Sequence, residues 1–463
     1  MPSKRATNKP VSRTRRVAKR TTRRASAAGG SSRRRAKRVP SRSGAAAGGK
    51  TGANPRPEVR AASSLEAYQE LEKALYVLRD ALEAAGSYQE LTELLAARCF
   101  PANRIAQLAD LGLGGDLHLH SSVSDGKVPP RKLPWLARAL GLHAIALTDH
   151  DSVDGCREAF REGMLIGVRV ICGVELSTDQ PGLEILVYFP DTGKLFSYLQ
   201  SSGSSRFRNV LKRRQSLMHE KSLACLDHVN RWLRRQKVPV ERLITLEEYD
   251  RWYEGRQPYF PGTLCVLGLA RLSPAQRSSL RIHDPRTFHT KVVTPFLKSW
   301  SGGRQRGQAP DLTAESFALV RSALRAGIPA ATVMAHPKEL VTKGHLSLGA
   351  VRKHVFDLAD SFGLDGIEVA CARDNETDVR YWMETVKLYN ASVAEGGPGR
   401  KPLLAASHSS DFHVLGPGVD TGEITLGFGV LDSRPPYRRG NLRPQMPLDE
   451  FLEQLQRRAG ENV

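Results

Sequence analysis

The stretch Asp116–Gly126, DLHLHSSVSDG, places two histidines and two aspartates within eleven residues. His118 and His120 are two positions apart, so a strand would point both imidazoles to the same side. Asp125 follows in a Ser/Asp/Gly turn that can bend back toward them. Two imidazoles and a carboxylate at a strand end suit a divalent metal of the zinc or manganese kind. An H-x-H pair can equally sit solvated on an edge strand. Metal chemistry therefore requires more ligands, delivered to the same place by other parts of the chain.

The elements that would deliver them recur from Gly114 onward. GDLHLH (115–120), HAIALTDH (143–150), VRVICGVELST (168–178), LEILVYFP (183–190), ATVMAHP (331–337), GIEVAC (366–371) and PLLAASHSSDFH (402–413) read as strands. Helical segments separate most of them. Mostly continuous apolar runs joined by crossover helices predict a parallel sheet covered on its faces, and seven such units predict a barrel. His118, His120, His150, Glu175, His336, Asp411 and His413 all fall at or just beyond the C-terminal ends of these strands. In a barrel of parallel strands that rim is where active sites are built.

Composition locates the remaining features. The chain has 463 residues, 40% of them hydrophobic, and a formal charge of +21. Nineteen Lys/Arg and a single acidic residue, Glu58, lie in residues 1–60, so almost all of the net charge belongs to that segment. A stretch with so little to bury is expected to be disordered, and its charge density favours non-specific nucleic acid binding through counterion release. Six scattered cysteines without a C-x-x-C pair argue against a disulfide framework and fit a reducing, cytoplasmic setting. No apolar run approaches a membrane span, and the N-terminus shows no apolar core of a secretory signal. The expected organisation is a basic tail (1–62), a helical preface (63–112), a first barrel part (113–198), a helical insertion (199–325), a second barrel part (326–440) and a C-terminal helix or tail (441–463). Ser63-x-x-Glu66 and Ser87-x-x-Glu90 read as helix starts in the preface. FRNVLKRRQSLMHEKSLACLDHVNRWLRRQ in the insertion reads as one helix or a pair.

Taken together, DLHLHSSVSDG, ALTDHDSVDG, GVELS, MAHP and SSDFH resemble the successive motifs of the polymerase and histidinol phosphatase (PHP) superfamily. The insertion after the fourth strand is most similar to the nucleotide phosphatase and 5′-3′ exonuclease branch. The resemblance implies a distorted seven-unit β/α barrel and a phosphoesterase using two or three divalent ions (Mn²⁺ or Zn²⁺, with Fe²⁺ an alternative) to activate water. By motif it assigns His118, His120, Asp125, His150, Glu175, His336, Asp411 and His413 as metal ligands, with Glu175 bridging two ions. Asp149 is implied as a partner of the second motif, and Asp149, His413 or water is expected as the source of the leaving-group proton. Arg373, Lys338, Arg206 and Arg214 are expected candidates for substrate phosphate, which would be a nucleotide, a nucleic acid end or a small phosphorylated metabolite. One departure stands out: many members carry a histidine in the fourth strand, about where Ile185 and Leu186 stand here. That implies a weakened or missing metal position. His408 is the available substitute, although it lies at the opposite parity from Asp411 and His413 and reads more readily as a hydrogen-bonding strand histidine. The rival expectation is a catalytically degenerate barrel that binds nucleic acid through its tail.

Overall fold

The computed structural model describes residues 64–100, 114–300, 311–344, 346–371, 374–396, 400–413 and 446–463. The basic tail, the Ser63 helix start and Arg373 lie outside them. Seven strands form one sheet in sequence order: β1 Gly115–Leu119, β2 Ala144–Leu147, β3 Arg169–Ser177, β4 Glu184–Phe189, β5 Ala331–Met334, β6 Gly366–Glu368 and β7 Leu404–Ala406. Backbone bonds then join the first strand to the segment after the last. Leu117 N donates to His408 O at 2.6 Å, and His120 N donates to Phe412 O at 2.8 Å. A distorted α/β barrel results.

The sheet is mixed, which corrects the expectation of parallel strands throughout. β4 runs antiparallel to both β3 and β5, while the other pairs are parallel. The reason is the link between β3 and β4, which has only residues 178–183, including Pro181 and Gly182. A parallel crossover needs a dozen or more residues, so a link this short can only turn the chain back. Gly182 takes φ of +81°, and a Cβ there would lie 2.5 Å from the Glu339 carbonyl oxygen. As a consequence, β4 brings its beginning, not its end, to the functional rim.

Alternation along the strands sorts the barrel into layers. Leu117, Ala144, Ala146, Ile171, Leu186, Tyr188, Val333 and Ala406 pack together with Leu448, Phe451, Leu452 and Leu455 of the C-terminal helix Leu448–Glu461. Small side chains from the strands leave room for that helix's apolar stripe. Ile145, Leu147 and Val170 pack instead against Leu133 and Leu136 of helix Lys132–Ala139 and against Leu78 and Leu82 of the preface. There, Ser87 caps helix Tyr88–Ala97 by accepting from Glu90 N, while Glu90 accepts from Gly86 N at 2.8 Å. The insertion opens with one continuous helix, Ser205–Arg235, and builds its own core from Cys225, Val229, Leu233, Tyr249, Leu264 and Phe288. Among the described residues no helix is long and apolar enough to cross a membrane.

Phe451 is fully buried in the strand-and-helix cluster. Phe451→Ala is expected to cost about 3–5 kcal/mol of stability in urea unfolding; a loss below about 1 kcal/mol would show that the C-terminal helix contributes little to the barrel.

Candidate metal centre

Each metal-capable side chain is aimed by a local feature of the backbone. The β1 register is irregular between Asp116 and Leu119; His118 lies within that stretch and His120 just after it, and both are fully buried. His118 Nδ1 lies 3.0 Å from Glu368 Oε1. A carboxylate can only accept, so Nδ1 carries a proton, and Nε2 is the nitrogen that faces the cluster. His118 Nε2 and His120 Nε2 are 3.2 Å apart. The loop that follows is tight, since a Cβ on Gly126 would sit 2.3 Å from the His120 carbonyl oxygen.

Asp149 secures this loop. One carboxylate oxygen accepts from Ser121 N at 2.7 Å and Ser124 Oγ at 2.6 Å, and the other accepts from Ser121 Oγ at 2.7 Å. Both oxygens are occupied by the protein. This geometry suits a positioning residue, not one free to move a proton to substrate.

Glu175, fully buried on β3, lies at the middle of the arrangement. Its Oε2 is 3.3 Å from His118 Nε2, 3.2 Å from His120 Nε2 and 3.2 Å from His150 Nδ1. Its Oε1 is 3.1 Å from His336 Nε2. Asp411 Oδ1 approaches His120 Nε2 at 3.2 Å and His118 Nε2 at 3.5 Å. Toward the surface, Asp125 Oδ2 is 3.3 Å from His413 Nε2 and 3.6 Å from His150 Nε2. His413 Nδ1 donates to the Asp411 carbonyl oxygen at 2.8 Å, which leaves Nε2 facing Asp125.

Backbone strain accompanies this convergence. Asp151, His336 and Asp411 take φ of +47°, +24° and +57°, a region that side-chain-bearing residues seldom adopt outside sites that require it. At Asp411 the effect is directly visible. Leu404 and Ala406 point into the strand-and-helix cluster, and His408 follows the same parity, its ring 6.1 Å from that of Phe451. The turn at Asp411 breaks that alternation, and Asp411 and His413 join the metal-capable cluster. His408 does not: it is buried away from the ligand groups, and burial pushes its imidazole down to about 4. It does not substitute for the absent fourth-strand histidine.

Glu184 stands where that substitute was needed. It is the first residue of β4, and Oε2 lies 3.4 Å from His336 Nε2 while Oε1 lies 3.9 Å from His150 Nδ1. Sequence reasoning missed it by searching strand ends on the assumption of parallel strands; the short link before β4 was the available signal. Glu339, 3.6 Å from His336 Nδ1, was also missed. So was Glu368, which accepts from His336 N at 2.6 Å as well as from His118. Glu368 ends β6 two positions after Gly366, so its place at the rim was legible from position alone.

These residues form four overlapping groups: His118, His120, Glu175 and Asp411; His120, Asp125, His150 and His413; His150, Glu175 and Glu184; and Glu184, His336 and Glu339. Within each group one ligand atom per residue lies within 4.8 Å of the others. The donor set fits divalent ions bound by nitrogen and oxygen. Electrostatics agrees. Burial alone would depress His118, yet Glu175, Glu368 and Asp411 hold it well above the usual imidazole range. His336 is likewise raised to about 9, against burial, by Glu339 and Glu175. Burial would raise Glu175, but His118 and His150 hold it well below the carboxylate range. Protons on the imidazoles thus balance carboxylates that an ion would otherwise balance.

The cations expected to meet phosphate are less well placed. Arg214 is buried, and its guanidinium is committed to Glu315, Asp151, Ser177 O, Leu312 O and Ser316 Oγ. It is a structural tie between the insertion and the barrel, which corrects its expected role. Lys338 is paired with Asp378. Arg206 is exposed at the start of helix Ser205–Arg235, about 12 Å along the axis from Arg214.

Residues 116–255 match the family model of the PHP domain. The chain is 37% identical over 101 residues to a 5′-3′ exoribonuclease of Haemophilus influenzae, covering 21% of this chain and 37% of that protein. It is 31% identical over 121 residues to a 3′,5′-nucleoside bisphosphate phosphatase of Chromobacterium violaceum, covering 25% of this chain and 42% of the relative. The matches therefore span less than half the length of these curated relatives. Among solved structures, an amidohydrolase from Chromobacterium violaceum aligns with a TM-score of 0.39 at 23% identity, over 74% of this chain and 96% of the other. The motif order, the barrel and the family match agree: residues 116–255 of this chain carry a PHP domain.

Proposed function

We propose that the protein hydrolyses phosphate esters at this centre. The substrate would be a nucleotide, the end of an oligonucleotide, or a small phosphorylated metabolite. The observation that carries the reading is Glu175, a buried carboxylate reached by four imidazoles from three separate segments. When bound, divalent ions there (manganese or zinc, with iron as an alternative) supply an activated water and neutralise phosphate charge. The relatives' names, an exoribonuclease and a nucleoside bisphosphate phosphatase, support a nucleotide-like substrate.

The chain's own residues supply order and exclusion of water. Glu368 fixes the tautomer of His118 and the backbone of His336. Asp149, Ser121 and Ser124 hold the loop that carries Asp125. Phe260 of the insertion lies with its ring 5.5 Å from that of His150 and covers that side. With Asp149 committed to the loop, the leaving-group proton would come from solvent, or from His413 where its Nε2 is not taken up by an ion. The nineteen basic residues of segment 1–60 support a further, non-specific grip on nucleic acid.

His120→Ala and Asp411→Ala are expected to abolish turnover of a generic phosphate ester while keeping a native circular dichroism spectrum; unchanged rates in both would defeat the assignment. Glu368→Gln should lower metal affinity or activity by about 10–100-fold. Metal loading should also release protons. His336 is raised to about 9, so in the metal-free protein its charged form is favoured at neutral pH. Affinity for manganese or zinc should therefore climb as pH rises toward 9, and calorimetry at pH 7.5 should give buffer-dependent enthalpies; identical enthalpies across buffers would contradict the charge balance described. Removal of residues 1–60 should abolish salt-sensitive DNA affinity and leave small-substrate turnover intact, whereas undiminished DNA affinity would remove the tail's role.

A further inference from the structure

The mouth of the cluster is narrow. His118, His120 and Glu175 have no exposed side-chain surface, whereas Asp125 is 21% and Glu184 22% exposed. A ligand must therefore meet the cluster along the edges that these two carboxylates mark. Most cations nearby are already committed. Arg256 donates to Ser122 O and Tyr253 O, Lys127 donates to Trp252 O, and Lys343 pairs with Glu339.

Lys221 differs from them. It lies seven residues after Arg214 on helix Ser205–Arg235, almost two full turns, so both project from one face. That face is held to the rim by Arg214 on Asp151 and by Gln215 Nε2 on the Asp151 carbonyl oxygen at 3.2 Å. Next to Lys221, Ser222 Oγ donates to Tyr259 O at 2.7 Å. The backbone of Lys221 is thus fixed at both sides. Its side chain is half-buried, and the carboxylates that act on its charge are Glu184 and Asp151. Among the described residues the ammonium has no hydrogen-bond or ion-pair partner.

A cation withdrawn from water without a partner is unfavourable, and a phosphoryl oxygen would supply the missing acceptor. We propose that Lys221 binds the substrate's phosphate at the Glu184 edge, so that the insertion takes part in recognition and does not merely cover the centre. A flexible ammonium suits this place better than a forked guanidinium, because it can follow a tetrahedral group as a compact point charge. The proposal rests on the phosphoester reading above and adds to it a specific residue from outside the strand motifs.

The test uses full-length, metal-loaded protein with inorganic phosphate as the probe. Calorimetry and phosphate-induced thermal shift are compared for wild type, Lys221→Met and Lys221→Arg, with metal content measured on each. Lys221→Met is expected to weaken phosphate binding about 10–100-fold, to raise KM for a phosphate ester more than it lowers kcat, and to keep its metal. Lys221→Arg should recover part of the loss. Wild-type phosphate affinity in Lys221→Met would overturn the proposal, as would loss of metal from that variant, since Lys221 would then serve only to balance Glu184. If wild type hydrolyses esters while Lys221→Met behaves identically, only this inference fails. If metal-loaded wild type neither binds phosphate nor hydrolyses any ester, the phosphoester reading fails and takes this inference with it.

Discussion

The contact between Glu175 and the imidazoles of His118, His120, His150 and His336 is the constraint that the surrounding structure answers to. Four ring nitrogens lie 3.1–3.3 Å from its two oxygens, and the carboxylate has no exposed surface. Charges withdrawn from water to this degree cost several kcal/mol each unless they are matched and held in good geometry. The neighbouring features supply the matching. Glu368 sets His118, Asp149 secures the loop of Asp125, and strained turns at His336 and Asp411 swing their side chains inward.

Barrel closure and the reversed fourth strand make that geometry possible. Backbone bonds between β1 and the segment after β7 bring His118 and Asp411 together across almost three hundred residues. The β3–β4 turn presents Glu184 at the same rim as the ends of the parallel strands. The insertion then lays helix Ser205–Arg235 over the edge, tied by Arg214 to Asp151 and Glu315. Its contribution to the centre comes from side chains such as Phe260 and Lys221, which no strand motif includes.

Much of this was legible in the chain. Continuous apolar runs ending in His, Asp or Glu located the strands and the rim together, because a buried parallel strand and a polar residue at its end are both local signals. Glu184 was hidden by an assumption about strand direction that the six-residue link already contradicted. Arg214 illustrates a different limit. A charge near a rim can be a ligand for substrate or a buried tie, and only its partners, Glu315 and Ser316 a hundred residues away, decide between them. Glu339 and Lys221 depend on tertiary placement in the same way.

The central claim is that these side chains converge to hold ions. Crystals of the metal-loaded protein, measured at the absorption edge of manganese or zinc, test it most directly. More than one anomalous peak is expected, each within about 2.0–2.6 Å of ligand atoms drawn from Glu175 and the histidines around it. Peaks confined to other parts of the molecule, or none at Glu175, would contradict the account.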